Sequence, residues 1–255
     1  MSSTDISAGA KAHLWFQYVV GRLMIAIAAP LVILAIKAAR YRIRDIHAVR
    51  RRVRDLTADH PGPWLICANH LTLIDSVILA YAMFPAWKYV WEYRRLPWNV
   101  PEWMNFNRNP LVGLACFATK CIPVVRGGDR AAVRSTMGRC AYLLGRGESL
   151  MIFPEGTRSR NGRVNTAEFS YGAGRLFCGT PGCRVMCVYM RGDGQDTYSN
   201  FPRCNETFTV AVEECIPEVR SKGLRAHRDS ASQIVNHLSE MERRYFASNS
   251  ASSSK

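Results

Sequence analysis

Trp64-Leu65-Ile66-Cys67-Ala68, then Asn69-His70-Leu71-Thr72-Leu73-Ile74-Asp75, then the nearly all-apolar run Ser76 to Phe84, reads as a buried strand, a polar turn and a buried helix that stops at Pro85. Residues five apart on a regular helix lie about 140° apart around its axis. His70 and Asp75 therefore meet only if His70 sits at the strand exit and the helix begins just after it. Thr72 is the expected N-cap of that helix. Asp75 then turns back to take the proton of one imidazole nitrogen, which leaves the other as a base. The same letters admit a plainer reading. Thr72-Leu73-Ile74-Asp75 resembles a capping box, in which Asp75 merely accepts the Thr72 N–H and His70 is a buried, hydrogen-bonded histidine.

A second stretch, Phe153-Pro154-Glu155-Gly156-Thr157-Arg158-Ser159, ends another apolar run, Ser149 to Phe153. Strands that end in polar groups deliver them to the carboxyl edge of an α/β sheet, where ligands bind. Gly156 lets a backbone approach closely, with Thr157 beside it, and Arg158 suits a phosphate through two parallel hydrogen bonds. Glu155 bonds a hydroxyl or fixes Arg158 by an ion pair. Arg126 follows the candidate strand Cys121 to Val125 and offers a second cation at the same edge. The plainer reading is a strand-ending turn with a solvated salt bridge.

Further strands are expected at Trp87 to Trp91, Arg184 to Met190 and Thr207 to Val212, and helices at Asp129 to Leu144 and Glu168 to Phe177. A closing amphipathic helix carries Leu224, His227, Ala231, Ile234, Leu238, Met241 and Tyr245 on one face. Pro97 to Lys120, rich in Trp, Met, Phe and Leu, is read as core packing. Alternating strands and helices give an α/β fold. Domain organisation follows: a tail at 1–13, a membrane-associated apolar helix and basic segment at 14–58, a catalytic domain at 59–246, and a Ser-rich disordered tail at 247–255. The nine cysteines include no C-x-x-C pair and read as small core residues rather than metal ligands.

Leu14 to Ile36 is apolar, and its twenty-three residues at ~1.5 Å each reach roughly 34 Å, enough to cross a hydrocarbon core. Arg22 inside it and Pro30 favour, equally, a bent helix lying partly in one leaflet. Lys37, Arg40, Arg42, Arg44, Arg50, Arg51, Arg52 and Arg54 follow at once. Such a run keeps this side cytoplasmic and attracts an anionic leaflet. The net charge of +14 fits anionic partners generally. A nucleic-acid binder is disfavoured, because it explains neither the apolar helix nor the paired motifs.

Together the two segments resemble the signatures of the lysophospholipid acyltransferases, the glycerol-phosphate acyltransferase superfamily: N-H-x-x-x-x-D, a strand ending in arginine, and F-P-E-G-T-R-S. The resemblance covers roughly residues 60 to 215. It implies the glycerol-phosphate acyltransferase fold, α/β with a mixed sheet flanked by helices, and transfer of a fatty acyl group from a thioester, acyl-CoA or acyl carrier protein, to a lipid hydroxyl. The default acceptor is 1-acyl-sn-glycerol-3-phosphate. It further implies His70 as general base, Asp75 as its orienting partner, and Arg126, Glu155, Gly156, Thr157 and Arg158 around the acceptor, with no metal and no redox cofactor. With the basic run read as cytoplasmic, this gives an enzyme of phospholipid biosynthesis at the cytoplasmic face of the inner or plasma membrane. The sequence departs from the family pattern at Thr119-Lys120-Cys121, where a glycine is usual, at Ser170-Tyr171-Gly172, where a lysine is usual, and at Val185 to Val188, which lacks the usual proline. These departures leave the chemistry intact and open the acceptor to another hydroxylated lipid or an aminolipid; a lipid binder without catalysis is a separate alternative, which the intact His70 and Asp75 argue against.

Overall fold

The computed structural model describes residues 6–106, 109–125 and 129–253. In chain order the elements are α1 (Ala8–Ala38), β1 (Arg42–Ile43), α2 (Ile46–Asp59), β2 (Trp64–Ala68), α3 (Asp75–Met83), α4 (Ala86–Trp91), a 3-10 turn (Tyr93–Arg95), β3 (Trp98–Asn99), α5 (Trp103–Phe106), α6 (Pro110–Ala118), α7 (Arg130–Gly145), β4 (Leu150–Ile152), α8 (Gly172–Gly179), β5 (Arg184–Gly192), β6 (Thr207–Cys215) and α9 (Gly223–Ser253). Among the described residues the strands form one sheet in the order β1-β6-β5-β2-β4-β3. It is mixed as expected: β5 and β6 are antiparallel and the other pairs parallel.

The period-two alternation of a strand sends its side chains to opposite faces. In β2, Leu65 and Cys67 enter a core with Val185, Cys187 and Leu150, packed under α7, α8 and α9. Trp64, Ile66 and Ala68 enter a second core with Met186 and Val188, packed under α2 and α3. Both faces are covered, so the strand is apolar without a break. The parallel register pairs Cys67 with Ile152. The residues after β2 and after β4 therefore leave the sheet side by side at its carboxyl edge, and the two motifs meet.

α1 is continuous through Pro30 and lies along the domain. Leu14, Gln17, Gly21, Ile25, Ala29 and Ile36 form a buried stripe. Gln17 Nε2 donates to the carbonyls of Phe117 and Cys121 at 3.1 and 2.9 Å. A Cβ at Gly21 would stand 2.0 Å from the Tyr93 hydroxyl, so the helix seats only with glycine there. Arg22, the apparent intruder, donates to the Val90 carbonyl at 2.6 Å, near the end of α4. The opposite face exposes Trp15, Phe16, Leu23, Ile27, Leu31 and Leu34, and its neighbours expose Trp87 and Trp91 on α4 and Leu111 and Leu114 on α6.

Several expectations need correction. Trp87 to Trp91 is helix, not strand, and begins at Pro85 as N-cap. Residues 121–125 make only isolated bridges, Asn99 with Cys121 and Glu102 with Val124, because Pro123 has no N–H to extend a ladder. α8 starts at Gly172 rather than Glu168, since Asn165 Oδ1 holds the Ala167 and Glu168 N–H groups in a turn. Leu224 is exposed at the start of α9, and residues 247–253 continue that helix. Trp98 is core, as read, but Trp103, Met104 and Leu111 from the same stretch face outward.

Lys120 explains one departure from the family pattern. Its φ of +57° is the left-handed conformation that glycine favours. Its buried ammonium donates to Glu148 Oε2 and to the carbonyls of Tyr93 and Leu96 at 3.0–3.1 Å, with the Tyr93 and Tyr18 rings alongside. Burial lowers its pKa to about 8 against the pull of Glu148.

Candidate active site

The β2 exit sets His70 at the carboxyl edge, and α3 begins at Asp75. His70 Nδ1 lies 3.0 Å from Asp75 Oδ2. The same oxygen accepts the N–H groups of Leu71 and Thr72 at 2.6 and 2.8 Å, while the Thr72 hydroxyl donates to Oδ1. Both readings of the segment thus hold at once: Asp75 caps the turn and orients the imidazole. Thr72 is not the N-cap, a place taken by Ile74. Four donors fix a carboxylate whose side chain is 1% exposed, while His70 keeps 13% of its surface open. With Nδ1–H on Asp75, Nε2 is the ring nitrogen left to accept a proton. Phe153 stacks on the imidazole, centroids 4.1 Å apart and planes 18° from parallel, and holds the ring's tilt.

The second motif grips the first through its backbone. Glu155 is buried, and its two oxygens accept the His70 N–H at 3.1 Å and the Asn165 N–H at 3.2 Å. It is therefore committed neither to a hydroxyl nor to an ion pair with Arg158. Ser159 N–H donates to the His70 carbonyl at 2.9 Å, so both peptide groups of His70 are held. Burial raises the Glu155 pKa to about 7, from a usual 4.5; the two N–H bonds oppose this, and the nearby charges of Glu242 and Asp75 add to it.

Arg158 turns to the loop before β6. Its Nη1 donates to the Ser199 carbonyl at 2.9 Å and to Asn200 Oδ1 at 3.0 Å. That loop in turn pairs with the histidine turn: Ser199 N–H with the Leu71 carbonyl and Leu73 N–H with the Asn200 carbonyl. Gly156, at φ +76°, closes the turn by donating to the Phe153 carbonyl. Thr157 is exposed at the rim. Arg126 lies outside the described residues. A cleft of about 650 Å³ opens beside Phe153, Glu155, Gly156 and Thr157 and runs between Met137 and Phe169. Its size suits a small-molecule or lipid portion.

Sequence reasoning missed Phe153, Ser159 and Asn69 as supports of His70. Asn69 extends the β2–β5 ladder with its side chain, donating to the Met190 carbonyl at 2.9 Å and accepting its N–H at 2.8 Å. Its place just past the strand end, next to the histidine, was the available signal.

The histidine, held by a buried carboxylate, thus stands at the carboxyl edge of a mixed α/β sheet. The chain belongs to the acyltransferase family, whose pattern matches residues 42–191, within the lysophospholipid and glycerol-phosphate acyltransferase superfamily. Over 86 residues it is 35% identical to the chloroplastic 1-acyl-sn-glycerol-3-phosphate acyltransferase LPAT1 of Arabidopsis thaliana, a match covering 34% of this chain and 23% of that protein. It is 34% identical over 86 residues to the chloroplastic 1-acyl-sn-glycerol-3-phosphate acyltransferase BAT2 of Brassica napus, covering 34% of this chain and 24% of that one. The chain thus matches about a quarter of the length of these curated relatives.

Proposed function

We propose that this protein transfers a fatty acyl group from a thioester, on coenzyme A or acyl carrier protein, to a lipid hydroxyl, with 1-acyl-sn-glycerol-3-phosphate as the default acceptor and phosphatidate as product. The carrying observation is the 3.0 Å contact between His70 Nδ1 and Asp75 Oδ2 at the sheet's carboxyl edge. Nε2 removes the acceptor's hydroxyl proton as its oxygen attacks the thioester carbonyl. The new C–O bond forms, the C–S bond breaks, and the imidazolium, stabilised by Asp75, returns the proton to the departing thiolate. Such a base contributes about a hundred- to ten-thousand-fold. The names of the two plant relatives support the acceptor. Tyr171, which lines the cleft just before Gly172, where the family usually has lysine, favours trying other lipid hydroxyls beside it.

The reaction takes place at a membrane surface, with α1 lying along one leaflet. Its buried stripe belongs to the domain, and its apolar outer face, continued by α4 and α6, is available to hydrocarbon. Arg51, Arg52 and Arg54, exposed on α2, supply attraction to anionic headgroups. The test is purified protein in anionic vesicles, given either thioester and a panel of lyso- and hydroxylated lipids, with thiol release and product mass as readouts. Acylated product from lysophosphatidate supports the default. Thioester consumption with no panel lipid contradicts the function.

A further inference from the structure

The loop at residues 160–167, after the second motif, is held from beyond the family's matched region. Glu242, on α9, is a buried carboxylate. It accepts the Val164 N–H at 3.2 and 3.3 Å on its two oxygens and the Tyr189 hydroxyl at 3.4 Å. The next N–H along the chain, that of Asn165, belongs to Glu155, whose other oxygen holds His70. Two consecutive backbone donors are thus shared between a C-terminal-helix carboxylate and the carboxylate that seats the base. One turn on, Phe246 lies between two guanidinium groups, Arg163 at 3.5 Å and Arg191 at 4.8 Å from its ring centre. Arg191 in turn donates to the Gly162 carbonyl. Gly162, at φ +66°, permits that turn, and a Cβ there would stand 2.2 Å from the Asp196 carbonyl oxygen. Leu238, Met241 and Tyr245 on the same helix fill the core, with Val164 and Tyr189 beside them and Phe246 packed against it.

We infer that Glu242 is a positioning residue for His70, acting through Val164, Asn165 and Glu155, so that α9 is part of the catalytic apparatus. A carboxylate is spent there because it both anchors the loop and sets the field at Glu155. The charges facing Glu155 are Asp75 and Glu242, with the His70 ring between strand and helix; Arg163, Arg191 and Tyr189 face Glu242. Removing the Glu242 charge lets Glu155 ionise at lower pH, and an ionised Glu155 grips the His70 N–H more strongly.

This inference rests on the acyl-transfer reading for its kinetic arm and is independent of it for its exchange arm. The full-length protein in anionic vesicles is compared with Glu242→Ala, Glu242→Gln and the surface control Glu240→Gln. Hydrogen–deuterium exchange is read at the peptides spanning residues 66–76 and 160–167. Glu242→Ala is expected to raise exchange in both peptides while the α1 peptides stay unchanged, and to lower kcat about ten- to a hundredfold with the thioester KM within twofold. Glu242→Gln, which keeps an acceptor for Val164, is expected to fold like the parent and to move the rising limb of its kcat–pH profile to lower pH. Unchanged exchange at 66–76 in Glu242→Ala overturns the inference, as does a parental kcat with a parental pH profile. Should the parent itself transfer no acyl group, the proposed function falls, and the exchange result alone decides whether Glu242 holds His70.

Discussion

Replacing Asp75 by Asn separates the carboxylate's two duties. The amide oxygen can occupy the Oδ2 position and keep the Leu71 and Thr72 N–H groups and the His70 Nδ1–H. The amide NH2 then faces the Thr72 hydroxyl, which rotates from donor to acceptor. Geometry survives and charge does not. The lost quantity is the attraction between the carboxylate and the imidazolium formed during turnover. For unit charges about 4 Å apart at an effective dielectric near 20, that is about 4 kcal/mol, or roughly a thousandfold in rate. Asp75→Ala also leaves buried N–H donors unpaired, each costing about 1–3 kcal/mol of stability. The assay is kcat at saturating thioester and acceptor, beside thermal unfolding of each variant. Asp75→Asn should melt within a few degrees of the parent and lose about a thousandfold, whereas Asp75→Ala should lose both activity and stability. A folded Asp75→Asn with more than about a tenth of the parental kcat would refute the reasoning.

Glu155 gives a pH signature. Its folded pKa of about 7 lies above the usual 4.5, so its stabilising contribution is full below 4.5 and is lost as pH rises through 7. That shift is worth about 3 kcal/mol. The stability gap between Glu155→Gln and the parent should therefore move in the variant's favour by up to that amount between pH 5 and 8; parallel curves would contradict it. Charges on the outer face of α1 (Leu23→Glu, Ile27→Glu, Leu31→Glu) should abolish vesicle flotation yet leave a folded domain, since each apolar side chain contributes about 1.5–3 kcal/mol of burial. Ile25→Glu, on the inner stripe, should unfold the domain instead; equal behaviour of the two faces would indicate a detached span. Arg158→Ala should raise the acceptor KM well above any change in the thioester KM and loosen the 198–200 loop, and equal effects on both substrates would exclude an acceptor role.

Much of the architecture was written in local pattern. β2, β5, β6 and α7 follow from apolar runs and from Asp129, whose side chain accepts the Ala131 N–H as the expected cap. The meeting of His70 with Asp75 was one of two readings the turn allowed, and the mixed sheet came from the family resemblance rather than from local pattern. What failed was decided by tertiary packing. Trp87 to Val90 has the composition of a strand, but docking beside α1 makes it helix, and nothing local announces that partner. The role of Glu155 was hidden for the same reason. A carboxylate that accepts one N–H from 85 residues upstream and another from 10 downstream leaves no periodic trace. The buried Lys120 stood out only as a departure from the family pattern, and its left-handed backbone supplies the cause.

The central claim is that His70 is the base for acyl transfer to a lipid hydroxyl. The most direct measurement is thioester cleavage by the parent and by His70→Ala in anionic vesicles, with and without lysophosphatidate, followed by free-thiol appearance and product mass. The account predicts acceptor-dependent thiol release by the parent, one acylated lipid formed per thiol. It predicts a fall of at least a hundredfold in His70→Ala, which should still bind vesicles and melt like the parent. Undiminished turnover by folded His70→Ala would contradict it.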